Sequence, residues 1–149
     1  MVRSVFGQDY DSMLWGDCDW YVLVRVEGVL AAHLSITDRV VLAGESKVRV
    51  GGVGGVATLP AYRRQGLAAL AMQRTAAFLR GPYAADFGLL LCNDHTMPYY
   101  ARLDWQRIPD LSFFDQPGRK IKDEDPVMFL PCTQTAWPPG AVDLCGYPW

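Results

Sequence analysis

Arg63, Arg64 and Gly66 have the types and spacing to hold an anion. Two guanidinium groups supply positive charge, and a glycine lets a ligand approach the backbone closely. They follow the run Val53 to Leu59, which Pro60 ends, and precede Ala-rich residues from Leu67 to Ala77. The first run reads as a strand, and the second as a helix stopped by Gly81-Pro82. A helix start offers unpaired N–H groups and a partial positive charge, so this join suits a phosphate or pyrophosphate. An ordinary strand–helix turn with two solvated arginines fits the same spacing. Leu67, Leu70, Ala71 and Phe78 fall mostly on one helical face, the expected buried stripe. Gly54 and Gly55 inside the strand mark a bulge or a close approach by a ligand.

Other reactive residues are scattered. Cys18, Cys92, Cys132 and Cys145 form no Cys-x-x-Cys pair, and His33 and His95 are not at metal spacing from them. No metal is expected, and free thiols in a reducing cytoplasm are the plain reading. His33 lies within an apolar segment and reads as a core or half-buried histidine rather than a catalytic base. The chain has 149 residues, half of them apolar. One globular domain over 1–149 is expected, with no internal repeat. The net charge of −2 argues against nucleic acid as the main partner. No apolar run approaches the ~20 residues of a membrane span, and Met1 to Tyr10 lacks the apolar region of a signal peptide.

These residues need elements to position them. Met1 to Asp19 is expected to hold one short helix. Trp20 to Val26 and Val29 to Ile36 read as a hairpin turned at Glu27-Gly28. Thr37 to Ser46 reads as a connection, and Lys47 to Leu59 as the glycine-rich strand. Phe87 to Cys92 reads as a buried strand, parallel to it through the helical crossover. Asn93 to Thr96 supplies a cap for a short helix, about Met97 to Leu103, that carries Tyr99 and Tyr100. Trp105 to Ile108 begins another strand. Arg119 to Asp125 reads as a charged loop, and Val127 to Leu130 as the last strand. The Pro/Gly-rich tail from 131 to 149 is too aromatic for a linker, so Trp137, Tyr147 and Trp149 should dock on the body.

The stretch from Arg63 to Ala68 resembles motif A of the GCN5-related N-acetyltransferases, the GNAT family. That motif runs Gln or Arg, two variable residues, Gly, a variable residue, then Gly or Ala; Arg63, Gly66 and Ala68 meet it. Downstream, Asn93, Tyr100 and Trp105 are similar to a second family pattern, Leu-Tyr-x-x-Leu-Gly-Phe, with a departure at Asp104 where Gly is usual. The resemblance implies an α/β (α+β) GNAT fold: a mixed central sheet with a V-shaped split between the family's fourth and fifth strands. It implies acetyl-CoA as co-substrate, bound by Val56, Ala57, Thr58, Arg63, Arg64, Gln65, Gly66, Leu67, Ala68 and Asn93. It also implies direct transfer without an acyl-enzyme. A backbone N–H near Val56 would polarise the thioester carbonyl, and Tyr100 would protonate the leaving thiolate. A phenol suits that task, being neutral at pH 7 and aimed from a rigid helix; as a plain helix-face aromatic, Tyr100 would have no such role. Cys92 lacks the His–Asp pair that an acyl nucleophile needs.

Within the family the chain is similar to the aminoglycoside 2'-N-acetyltransferases, enzymes of antibiotic resistance. The likeness rests on Val53-Gly54-Gly55-Val56-Ala57, Leu130-Pro131 and Trp149. It implies that Asp123, with Glu124 and Asp125 nearby, and the Trp149 carboxylate face a polycationic acceptor. The nodulation N-acyltransferases share Ala32-His33 and the Trp137-Pro138-Pro139-Gly140 tail, and they too modify an amine on a sugar. Two departures matter. Those aminoglycoside enzymes carry Glu where this chain has Gly54. The family's N-terminal strand and helices are shortened here, which implies an open acceptor site or a wall from a second copy, and so a homodimer. The expected function is acetyl transfer to a small-molecule amine, an aminoglycoside or related amino sugar. Another small amine, a protein amine, or a degenerate acetyl-CoA-binding protein is the alternative.

Overall fold

The computed structural model describes residues 12–149. Most of the helix expected between Met1 and Asp19 lies outside them, and from Met13 to Asp19 there is neither helix nor strand. Strands β1 (Trp20–Val26) and β2 (Val29–Ala43) form a hairpin. Its turn residues, Glu27 and Gly28, both have positive φ (48° and 83°), the backbone a two-residue hairpin needs.

β2 does not stop at Ile36. It runs seven residues further, then turns at Gly44-Glu45 into β3 (Ser46–Thr58), so the expected connection over Thr37–Ser46 is strand. Asp38 and Arg39 are charged residues inside this strand. Their side chains are occupied. Asp38 accepts a hydrogen bond from Tyr83 Oη and lies 3.6 Å from Arg49 Nε. Arg39 donates to Tyr147 O at 2.6 Å and lies over the Trp149 ring at 5.0 Å.

A short 3-10 turn (Pro60–Tyr62) leads to α1 (Leu67–Arg80), which crosses back to β4 (Phe87–Leu91), parallel to β3. The face that α1 buries is Ala71, Met72, Thr75 and Leu79, while Leu70 is 43% exposed. The expected stripe through Leu67 and Leu70 is therefore rotated. Thr75 is tolerated inside because its hydroxyl donates to Ala71 O, one turn back, at 2.9 Å.

Next come α2 (Met97–Ala101), β5 (Gln106–Ile108), β6 (Ser112–Gln116), β7 (Arg119–Asp123), β8 (Val127–Pro131) and β9 (Val142–Asp143). The charged segment read as a loop is mostly β7, paired among the described strands only with β6. Charge suits such an edge, because it discourages pairing with another chain. The strand order is β5-β8-β4-β3-β2-β9-β6-β7, with β1 also beside β2. Helix α1 covers one core cluster, which includes Leu34, Ile36, Met72, Leu79, Leu90 and Trp105. A second cluster joins Val41, Val50, Phe87, Phe129, Leu144 and Trp149.

β3 and β4 pair only from Val50 with Phe87 to Val53 with Leu90. β3 continues to Thr58 without β4 beside it, and this divergence is the expected split.

Candidate functional site

The split opens at a bulge. Ser35 pairs with Gly54 and His33 with Ala57, so Gly55 and Val56 together stand opposite Leu34. Gly55 has φ +57°, which a glycine adopts without a Cβ penalty. The carbonyls of Gly54 and Gly55, leading into the bulge, are held by β2 side chains. Ser35 Oγ donates to Gly54 O at 3.1 Å, and His33 Nδ1 lies 2.9 Å from Gly55 O. In a planar trans peptide the C=O and the following N–H point opposite ways. With Gly55 C=O turned to β2, the Val56 N–H is turned away from it.

Two cavities flank this peptide. The smaller, about 370 Å³, runs along the free end of β3 past Ala57 and Thr58 to Arg63, Arg64, Gly66 and the start of α1. Gly66 caps the helix at φ +76°, with nothing within 4 Å of where a Cβ would sit. Arg63 Nε donates to Thr58 O at 3.2 Å, which ties the basic loop to the strand. Of the residues expected here, Gln65 does not line this cavity, and Asn93 lines the other one. Asn93 Oδ1 instead accepts from Thr96 N at 2.9 Å and fastens the start of α2.

α2 presents Tyr99 and Tyr100, which meet edge-on with ring centroids 5.2 Å apart. Tyr100 is buried, and burial pushes its phenol well above the ordinary value, with Cys92 and Tyr99 adding to the shift. It is therefore a neutral proton carrier across the physiological range. Cys92 is pushed up to about 11, chiefly by burial, which keeps it a thiol rather than a nucleophilic thiolate. Asp104, just after α2, holds φ +68°, a left-handed backbone that glycine adopts more readily.

The larger cavity, about 620 Å³, lies on the other side of the bulge. It is lined by Asp17, Asp123 and Asp125 and by Trp15, Tyr21, Phe114 and Trp149. Asp123 Oδ1 accepts from Asp125 N at 3.1 Å, while its Oδ2 is buried without a partner among the described residues. Burial raises its carboxyl pKa, and the charges of Asp125 and Glu124 add to the rise. Glu124 does not line the cavity; it is highly exposed and pairs with Lys122 at 3.3 Å. A Cβ on Gly54 would lie 2.5 Å from the Trp149 carbonyl carbon, so Trp149 occupies the room a larger residue would need.

Residues 13–18 were not expected here, and they close one side of this cavity. Gln116 clamps Leu14 by accepting from its N–H at 3.0 Å and donating to its carbonyl at 2.8 Å. Gly16 N donates to Pro148 O at 2.7 Å, and Thr37 Oγ1 to Asp17 O at 3.1 Å. These partners are about twenty to over a hundred residues away in sequence, so no local pattern points to them. His33, read from sequence as structural, also lines this cavity.

The two cavities share Val56, Thr96 and Tyr100. Two chambers meeting at one phenol and one strand peptide give a geometry that suits group transfer between two substrates. The chain belongs to the acetyltransferase (GNAT) family, whose GNAT domain model matches residues 6–108. It is 28% identical over 141 residues to an aminoglycoside 2'-N-acetyltransferase of Mycolicibacterium fortuitum, a match that covers 88% of this chain and 69% of that protein. Among solved structures it resembles a GNAT family N-acetyltransferase (YhbS) of Escherichia coli in complex with CoA (TM-score 0.64, 16% identity, 97% of this chain and 80% of that one). It also resembles a GNAT family acetyltransferase of Brucella melitensis in complex with acetyl-CoA (TM-score 0.59, 18% identity, 95% and 71%). At these identities the solved structures speak to the fold. Several others that match are much longer, and the chain spans only 21–23% of their length.

Proposed function

We propose that this domain transfers an acetyl group from acetyl-CoA to an amine of a small molecule, an aminoglycoside or related amino sugar. The observation that carries this reading is the meeting of the two cavities at Val56 and Tyr100. The smaller cavity fits acetyl-CoA, which supplies the acetyl group as a thioester. Arg63, Arg64 and the N–H groups from Arg64 to Ala68 would hold its pyrophosphate at the helix start, where the open, left-handed Gly66 admits close approach. Val56 N–H, turned away from β2, would bind the developing oxyanion. Tyr100 would give its proton to the departing sulfur, without an acyl-enzyme.

The acceptor class rests on charge and surface. Asp17, Asp123 and Asp125 suit a polycation, and Trp149, Phe114 and Tyr21 suit the faces of sugar rings. The Mycolicibacterium fortuitum relative supports the same class. We read 1–149 as one acetyltransferase domain, with 131–149 a tail packed through Trp137 and Trp149. Four free cysteines suit a reducing cytoplasm. No helix among the described residues is long and apolar enough to cross a membrane.

The test is thiol release from acetyl-CoA with a panel of aminoglycosides, simple amino sugars, polyamines and peptides. Release with amino sugars above the rest is the expected result. Release only with peptides or simple amines overturns the acceptor class, and no release with any amine overturns acetyl transfer.

A further inference from the structure

If the domain acetylates an amine, as proposed above, the attacking nitrogen must lose a proton. Tyr100 begins protonated and cannot take it. A base is therefore needed on the acceptor side of the Gly55–Val56 peptide. Gly54 has no side chain, and the Trp149 backbone carbon would lie 2.5 Å from a Cβ there, so residue 54 cannot itself carry a side-chain carboxylate.

His33 stands where such a group is required. It lines the larger cavity, and its Nδ1 lies 2.9 Å from Gly55 O. A carbonyl only accepts, so Nδ1 carries the hydrogen in this bond. The other nitrogen of the neutral ring, Nε2, is then left with the lone pair. The ring is also held in place. It packs on Tyr21 with centroids 5.6 Å apart, and it sits so close to Gly55 that a Cβ there would come within 3.2 Å of its Cε1. One peptide unit thus fixes both halves of the chemistry: its carbonyl orients the imidazole, and its N–H, on Val56, is aimed the other way.

We infer that His33 is the base that deprotonates the acceptor amine, with its tautomer set by Gly55 O and its Nε2 as the proton acceptor. The nitrogen–carbon bond forms as an amine proton passes to Nε2. The carbon–sulfur bond breaks, and the thiolate takes the Tyr100 proton. The imidazolium proton then returns through solvent to the Tyr100 phenolate, which restores both groups. An imidazole is well matched to proton transfer near neutral pH.

The experiment compares His33→Asn and His33→Ala in the full chain. Thiol release from acetyl-CoA is measured with the amine panel and with water alone as acceptor, and acetyl-CoA affinity by calorimetry. Asparagine can still donate an N–H to Gly55 O but offers no basic nitrogen. Both variants should lose turnover by ~10²–10⁴-fold, the range typical of acid–base groups. Their acetyl-CoA affinity should hold, and added imidazole should restore part of the His33→Ala rate. Wild-type turnover in His33→Asn would show that the bond to Gly55 O is all the ring provides, and would overturn the proposal. Failure of imidazole to rescue His33→Ala would overturn it as well. A wild-type protein that releases no thiol with any acceptor, water included, would instead overturn acetyl transfer itself, and this inference with it.

Discussion

Replacing Tyr100 by Phe isolates one proton. The ring is buried at 9% exposure, meets Tyr99 edge-on and belongs to the cluster with Met72, Trp105 and Met128. Phenylalanine keeps all of that packing, so stability should shift by no more than about 1 kcal/mol, the usual net worth of a hydroxyl's hydrogen bond. Turnover is another matter. Loss of a general acid costs ~10²–10⁴-fold, which at ~1.36 kcal/mol per decade is roughly 2.7–5.4 kcal/mol of barrier. Burial, the leading cause of the raised phenol pKa, also fixes the pH behaviour. The neutral, donating form persists to well above the ordinary value of about 10. Tyr100 should therefore cause no alkaline fall in wild-type kcat between pH 6 and pH 9, and Tyr100→Phe should lie below wild type by a constant factor. The assay is steady-state thiol release, with acetyl-CoA affinity followed separately and expected to stay near wild type. Full turnover in Tyr100→Phe would refute the reasoning: the thiolate would then leave unassisted or take its proton from water.

Further outcomes follow from the same geometry. Asp123→Asn should raise the Michaelis constant for a polycationic amine, and raise it less at high salt, whereas Glu124→Gln, which alters a solvent-facing ion pair, should leave it alone. The raised pKa of Asp123 means that stability from this carboxyl is complete at low pH and is lost as pH rises through its folded value. In thermal melts Asp123→Asn should therefore match wild type in acid and exceed it at neutral pH. Gly66→Val places a branched residue at φ +76° on the mouth of the smaller cavity, so calorimetry should show weakened acetyl-CoA binding; unchanged affinity would remove the anion site from this loop. β1 pairs only with β2 among the described strands and exposes Leu23 at 49% and Val29 beside it at 45%, so light scattering at micromolar concentration should report a homodimer, and a monomer would count against that reading.

What the sequence could reveal was what is local. The hairpin at Glu27-Gly28, the strand–loop–helix join at Arg63 to Ala68 and the short helix with Tyr100 each depend on neighbours within a few residues. β6 and β7 form a local hairpin about Pro117-Gly118 whose charged residues look like loop, whereas β9 was missed because its pairing with β2 and β6 is long-range. Lys120 in β7, for example, is held by Asp115 at 2.9 Å and Asp143 at 2.6 Å, from two different strands. The wall made by residues 13–18 was hidden for the same reason, since Gln116 and Pro148 hold it from far along the chain.

The glycines of β3 show how one sequence signal can carry two causes. Read along the chain, Gly54 and Gly55 mark a bulge or a close approach by a ligand, and Gly51 and Gly52 precede them in the same strand. In the structure only Gly55 takes a backbone form that favours glycine. A Cβ on Gly51 would run into the Leu79 side chain, and one on Gly52 into the Trp149 ring. One on Gly54 would meet the Trp149 carbonyl. Three of the four thus make room for packing: Leu79 from the helix above, and Trp149 from the tail. The consequence is functional all the same. With Trp149 laid along the strand, its indole becomes a wall of the larger cavity, and the strand itself cannot carry a carboxylate toward the amine. Under the proposal above, proton acceptance comes instead from across the bulge, where His33 is bonded to the carbonyl of the one β3 glycine whose backbone is special.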